Sequence, residues 1–207
     1  MIIVVTGGIG SGKSSVCRIL AERYGFHIYE ADSKVKGLYD SHPTLLTQIE
    51  ADLGKTLRDV NGRFKPSELA AVIFSDSSAL GTVESHVFPA LKEDFSSWMN
   101  GHDDGLPVVF ESATVLEKPQ FDGFGDIVVL VDAPFTTRLE RAVSRDGNRA
   151  GVEARMKHQR LMNSLSEGAV DERIDHVIHN GGTEGELEVE IDGFIKKFND
   201  NINVTHK

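Results

Sequence analysis

Gly7-Gly8-Ile9-Gly10-Ser11-Gly12-Lys13-Ser14 follows the apolar run Met1-Ile2-Ile3-Val4-Val5-Thr6 and leads into Ser15-Val16-Cys17-Arg18-Ile19-Leu20-Ala21-Glu22-Arg23-Tyr24. The octapeptide fits G-x-x-x-x-G-K-[ST], and its setting is the strand–loop–helix that a phosphate-binding loop requires. Residues without a Cβ let the backbone turn tightly and bring several N–H groups against a phosphate. The helix that follows adds its positive end. Lys13 has the reach for β- and γ-phosphates, and the Ser14 hydroxyl suits a Mg²⁺ ion. The nucleotide-binding candidates are therefore Gly8, Ile9, Gly10, Ser11, Gly12, Lys13, Ser14 and Ser15, with Ser14 also the candidate metal ligand. A glycine-rich turn that binds nothing is the bland alternative; the four matched positions and their context weigh against it.

The bulk numbers bound what surrounds this loop. A chain of 207 residues, 40% hydrophobic and 26% charged, reads as one soluble domain with insertions and a real core. Its 22 basic and 32 acidic residues give a formal charge of −10, which argues against a nucleic-acid or anionic-membrane partner. It does not argue against an anionic small molecule, because a local cluster of N–H, Lys and Arg outweighs the global field. The single cysteine, Cys17, rules out an internal disulfide and reads as a small, partly buried apolar residue of the first helix rather than a reactive thiol. The first apolar run ends at Thr6 without a basic segment, unlike a signal peptide, and no stretch approaches the ~20 residues of a membrane span. The expectation is a cytoplasmic enzyme with no obligate protein partner.

Five short apolar runs read as strands: Ile2–Val5, Phe26–Glu30, Pro107–Phe110, Ile127–Val131 and His176–Ile178. The fourth is continuous rather than alternating, as expected for a strand covered on both faces. Helical patterns lie between. Val16, Ile19, Leu20 and Tyr24 share a face that Gly25 closes. Thr183-Glu184-Gly185-Glu186 is a capping box ahead of the stripe Leu187, Ile191, Phe194, Ile195 and Phe198. This alternation predicts an α/β fold with a five-stranded parallel sheet and helices on both faces. Two stretches exceed simple connections. Residues 32–105 carry helix-like pieces at Leu45–Leu53, Ser67–Phe74, Ala79–Val87 and Pro89–Trp98. Residues 134–165 are arginine-rich. The tail from Asn199 is expected to fray.

A phosphate loop alone says nucleotide. A GTPase would add N-K-x-D, which is absent; D-x-x-G at Asp59–Gly62 and Asp122–Gly125 is short enough to arise by chance. The second strand ends at Tyr29-Glu30-Ala31-Asp32, where the carboxyl end of a parallel sheet meets ligands. A carboxylate there can take a proton from an attacking hydroxyl. Asp32 is the candidate base, with a helix cap at Ser33 as the bland reading, and Glu30 points the same way if the strand continues. Arg138, Arg141 and Arg145 recur at helical spacing. Such a row is usually a solvated face, but arginines closing over a transferring phosphoryl are worth roughly 10³–10⁵ in rate. Asp132 ends the fourth strand, where an acid could serve the metal or cap a helix. Asn180-Gly181-Gly182 reads as a turn or as a loop against the adenine. His176 and His179 make an H-x-x-H with no third ligand near in sequence.

In combination these segments resemble the dephospho-CoA kinase family over nearly the whole chain. Thr6–Ser14 is similar to that family's phosphate loop, and Glu30-Ala31-Asp32 stands where the family has D-A-D. Ile73-Phe74, the helix from Leu80 to Pro89, and Phe110-Glu111-Ser112-Ala113 resemble its middle section. Arg138-Leu139-Glu140-Arg141 with Arg145-Asp146, Arg155–Gln159, and Asp175–Gly181 resemble its later motifs. Glu30, Phe88 before Pro89, and Lys65-Pro66 depart from the pattern. The resemblance implies a P-loop kinase fold in which residues 32–105 form a helical substrate-binding insertion and residues 134–165 a lid. It implies ATP-dependent phosphorylation of the ribose 3′-hydroxyl of dephospho-CoA with Mg²⁺. Lys13, Asp32, Arg141 and Arg145 would be catalytic, and Asn180 would join the nucleotide site. The alternatives are a kinase for a nucleoside monophosphate, shikimate or gluconate, or a nucleotide-dependent switch or assembly module.

Overall fold

Strands form where the sequence is shortest, most apolar and most β-branched. They are β1 (Ile2–Thr6), β2 (His27–Glu30), β3 (Val108–Glu111), β4 (Ile127–Asp132) and β5 (His176–His179). Every predicted strand is present, with its ends displaced by no more than one residue. The computed structural model describes residues 1–76 and 78–205; the side chains of Pro43, Phe74 and residues 201–205 and the last two residues of the tail lie outside that description. The strands form one sheet in the order β2-β3-β1-β4-β5. β1 lies parallel to β3, with Ile3 opposite Val109, and parallel to β4, with Val5 opposite Val129. β4 and β5 are parallel as well, with Leu130 opposite Val177.

The helices are α1 (Lys13–Tyr24), α2 (Ala31–Ser41), α3 (Pro43–Leu53), α4 (Pro66–Ser75), α5 (Ala79–Met99), α6 (Phe135–Asp146), α7 (Arg149–His158), α8 (Arg160–Ser166) and α9 (Glu184–Thr205). The chain divides into two compact units, residues 30–104 and the remainder. In the sheet-bearing unit, Val16, Ile19 and Leu20 of α1 and Leu187, Ile191 and Phe194 of α9 cover Ile3, Val5, Val129, Val131 and Ile178. Val4, Phe110 and Leu130, which alternate with these, are buried too, so the sheet is covered on both faces and its strands need no polar side. Each such side chain contributes roughly 1.5–3 kcal/mol. Phe110 stacks on Tyr29 at 5.6 Å and meets Phe124 edge-on at 4.8 Å. Cys17 is buried more completely than the partial burial expected of it. The capping box forms: Thr183 N–H and Oγ1 donate to Glu186 Oε2 at 2.7 and 2.9 Å, and Glu186 N–H donates back to Thr183 Oγ1 at 3.3 Å. α9 then continues to Thr205, across most of the tail expected to fray. Among the described residues, no helix is long and apolar enough to cross a membrane.

The second unit is helical. α3 and α2 pack on α5, with Leu46, Ile49, Leu57 and Phe95 at its centre. Tyr39 stacks on Phe64 at 4.2 Å, and Glu50 ties the chain between α3 and α4 by accepting from Leu57 N–H and Arg58 Nε. One sequence expectation fails here, and so does the bland alternative weighed for Asp32. The predicted break at Pro89 is absent, and α5 runs through it. Val83, Val87, Leu91 and Phe95 recur every four residues across the proline and are all buried. Keeping that stripe in register outweighs the ~3 kcal/mol that an interior proline costs. Asp32 does not cap a helix at Ser33. α2 already starts at Ala31, Glu30 is its N-cap residue, and Asp32 lies in the first turn. The chain is therefore no longer extended at Asp32, and the alternation that would aim Glu30 and Asp32 alike does not apply.

Candidate active site

The loop between β1 and α1 is shaped by contacts from the other end of the chain. Ser11 N–H donates to Gly8 O and Ser15 N–H to Gly12 O, both at 3.0 Å, which folds the segment into successive turns. Gly10 and Gly12 have φ of +77° and +95°. A Cβ on Gly10 would lie 2.1 Å from the Arg138 carbonyl oxygen, and one on Gly12 2.0 Å from Asn180 Nδ2. Any larger residue would push out α6 or the turn after β5. Helix geometry leaves the N–H groups of Lys13 and Ser14, in the first turn of α1, without intrahelical acceptors. These donors and the helix end suit a phosphate. The Ile9 N–H donates to Gln159 Oε1 at 2.7 Å, so it reaches a phosphate only by exchanging that bond.

Lys13 Nζ donates to Gly7 O at 3.1 Å and lies 3.6 Å from Glu111 Oε1, with both side chains 11% exposed. Glu111 stands in a segment that the sequence matched, but no role was read for it there. It ends β3, the strand beside β1, but that adjacency depends on a strand order the sequence does not spell out. Asp132, singled out at the end of β4, accepts from Ser166 Oγ at 2.7 Å, and its carbonyl accepts from Asn180 N–H at 2.7 Å.

Asn180 stitches the site together. It is buried, its Nδ2 donates to Ser11 O at 2.8 Å, and its carbonyl accepts from Arg141 Nη1 at 2.8 Å. A cavity of about 260 Å³ opens beside it, lined by Gly12, Ser15, Arg141, Asn180, Gly182 and Leu187, with the Glu184 carboxylate at its wall as well. The structure thus gathers Gly12, Ser15, Arg141 and Asn180 at one cavity, next to Lys13 and Ser14. Arg145 stands apart from that cluster: its Nε donates to Asp146 Oδ1 at 2.7 Å, and Arg155 binds the same carboxylate. These two guanidinium groups hold the Asp146 carboxyl well below the usual carboxylate range. Arg138 is buried instead of solvated. α6 and α7 pack through Leu139, Ala142, Val152 and Met156, with Ile9 and Val143 against them. Asp32 and Glu30 open the second unit, where Glu30 Oε2 accepts from Ser33 Oγ at 3.2 Å. The His176 ring packs tilted against Phe194 at 5.2 Å, and no cluster of three metal-ligating side chains occurs among the described residues.

A parallel sheet with a phosphate loop after its first strand, a lysine and an arginine-lined cavity beside it, and a helical insertion after its second strand define a P-loop kinase for small molecules. The family model described as dephospho-CoA kinase matches residues 1–185. A dephospho-CoA kinase from Porphyromonas gingivalis is 38% identical over 173 residues, covering 83% of this chain and 84% of its own. The crystal structure of TT1252 from Thermus thermophilus superposes with a TM-score of 0.78 at 26% identity, covering 95% of this chain and 97% of its own. The dephospho-CoA kinase from Campylobacter jejuni shares the fold, with a TM-score of 0.65 at 20% identity, covering 97% of this chain and 98% of its own. The chain belongs to the dephospho-CoA kinase family.

Proposed function

We infer that this protein transfers the γ-phosphoryl group of ATP to the ribose 3′-hydroxyl of dephospho-CoA, giving coenzyme A and ADP. Family membership supports the acceptor. The observation that carries the donor is the phosphate loop, held open by later segments, with Lys13 at the start of α1. Lys13 and the loop N–H groups bind the β- and γ-phosphates. The cavity at Arg141 and Asn180 takes the rest of the nucleotide. Asp32 follows the carboxyl end of β2 and accepts the proton of the attacking hydroxyl, whose oxygen bonds to the γ-phosphorus as ADP leaves. Arg141 and Arg145 stabilise charge on the transferring group; Arg145 first has to leave Asp146. Residues 32–105 grip dephospho-CoA, and residues 134–165 act as the lid.

Mg²⁺ prefers oxygen ligands and few protein groups. The Ser14 hydroxyl and the Glu111 carboxylate beside Lys13 are such donors, and both fit the ion. Those two side chains would hold the ion, which would supply charge neutralisation at the transferring phosphate. With ATP as donor, the cytoplasm is the compartment in which this reaction is expected to run.

The test is ADP release with Mg-ATP, with and without dephospho-CoA, beside shikimate, gluconate and AMP. Dephospho-CoA alone should stimulate release. Stimulation by another acceptor instead would transfer the reading to that kinase class, and no stimulation with ATP still bound would favour a switch. Asp32→Asn should lose turnover while ATP still binds; full turnover would remove Asp32 as the base.

A further inference from the structure

Arginine is almost never fully buried without a partner, yet Arg138 is 1% exposed, among the most deeply buried large side chains of the chain. It lies one turn into α6. Its Nε and Nη1 have no hydrogen-bond partner among the described residues, and its Nη2 makes only a long bond, 3.3 Å, to Asn163 Oδ1. Its guanidinium carbon lies 5.7 Å from the centre of the Phe135 ring. Nη1 abuts the phosphate loop: a Cβ on Gly8 would be 1.9 Å from it. Burial lowers the Arg138 pKa, and the negative charge of Asp132 opposes that shift. Arginine stays protonated through such shifts. A desolvated, under-bonded cation destabilises a fold unless something offsets it, and no carboxylate hydrogen-bonds it among the described residues.

We propose that Arg138 is a positioning residue for the nucleotide, a buried cation behind the phosphate loop whose field strengthens polyphosphate binding without touching it. This rests on the reading that the loop binds ATP. Away from water a charge acts over a longer range and is screened less by salt. The field of Arg138 adds to those of Lys13 and the loop N–H groups. Its effect must therefore grow with the charge of the ligand, which distinguishes it from a purely structural role.

The experiment uses the full chain with Arg138→Met and Arg138→Lys. Calorimetry gives the affinities for ATP, ADP and adenosine, and thermal melting gives the stability of the nucleotide-free protein. Arg138→Met should weaken ATP by about tenfold or more, ADP by less and adenosine hardly at all. Its nucleotide-free melting point should not fall, because an apolar side chain replaces an unpaired buried charge. Arg138→Lys should recover most of the ATP affinity. Equal losses for all three ligands, or a lower melting point with an unchanged ATP-to-adenosine ratio, would overturn the proposal. So would collapse of the fold in both Arg138→Met and a second neutral variant, Arg138→Gln, since the cation would then be holding the fold. A parent protein that binds ATP but does not phosphorylate dephospho-CoA refutes the acceptor and leaves the Arg138 comparison decisive. A parent that binds no ATP overturns both.

Discussion

Gly10 and Gly62 have the same backbone conformation, φ +77°, in opposite surroundings. A Cβ on Gly62 would meet nothing within 4 Å, whereas one on Gly10 would strike the Arg138 carbonyl oxygen at 2.1 Å, its carbon at 2.8 Å and its Cα at 2.9 Å. Those are backbone atoms and cannot rotate away. Alanine at either site costs about 1–2 kcal/mol for the left-handed conformation. At Gly10 the contact adds about 1–3 kcal/mol, the usual range for overpacking, for a total of about 2–5 kcal/mol. In a protein of this size 1 kcal/mol moves the melting point by roughly 2–4 °C. Gly62→Ala should therefore melt about 2–8 °C below the parent, and Gly10→Ala roughly twice as far below. Circular dichroism on the nucleotide-free protein reads the melting points, and ATP calorimetry reads the loop; only Gly10→Ala should lose nucleotide affinity. If Gly10→Ala melted with Gly62→Ala and bound ATP like the parent, the close approach of α6 would not be shaping the loop.

Pro89→Ala restores an N–H in the middle of α5 and should stabilise the protein by about 1–2 kcal/mol, read as a higher melting point; an unchanged or lower value would mean that the helix is adapted to its proline. The Asp146 carboxyl should titrate below the usual ~3.9 of an aspartate, so the stability it contributes is present above that value and drains away as pH falls through the lower folded-state value. NMR titration of its side-chain carboxyl tests this, and an ordinary midpoint would show that Arg145 and Arg155 do not hold it in solution.

What the sequence disclosed was what depends on near neighbours along the chain. The strands announced themselves as short, mostly apolar runs, unbroken in β4 and bounded by histidines in β5, and the α9 capping box and stripe needed only residues 183–198. Pro89 misled because a local rule lost to the buried stripe Val83, Val87, Leu91 and Phe95. Arg138, Arg141 and Arg145 show the limit most sharply. Their spacing puts them on one helix, yet one is buried against Gly8, one binds the carbonyl of Asn180 and one is held by Asp146. Those fates depend on distant segments that spacing cannot reveal. Gln159 and Glu111 stood in matched segments but were given no role for the same reason: their partners, Ile9 and Lys13, lie far away in sequence.

The Asn180–Ser11 and Gln159–Ile9 bonds span 169 and 150 residues. During synthesis the phosphate loop therefore leaves the ribosome early and acquires its walls late. A nascent chain lacking the turn after β5 has the motif without the mould that holds it. Pairing over such separations also slows folding. ATP cannot stabilise a half-made chain through this loop and favours only the finished one, by about 2.7 kcal/mol when its concentration is 100 times the dissociation constant. Cellular nucleotide would thus act as a late check on folding, selecting chains whose final third has reached its place.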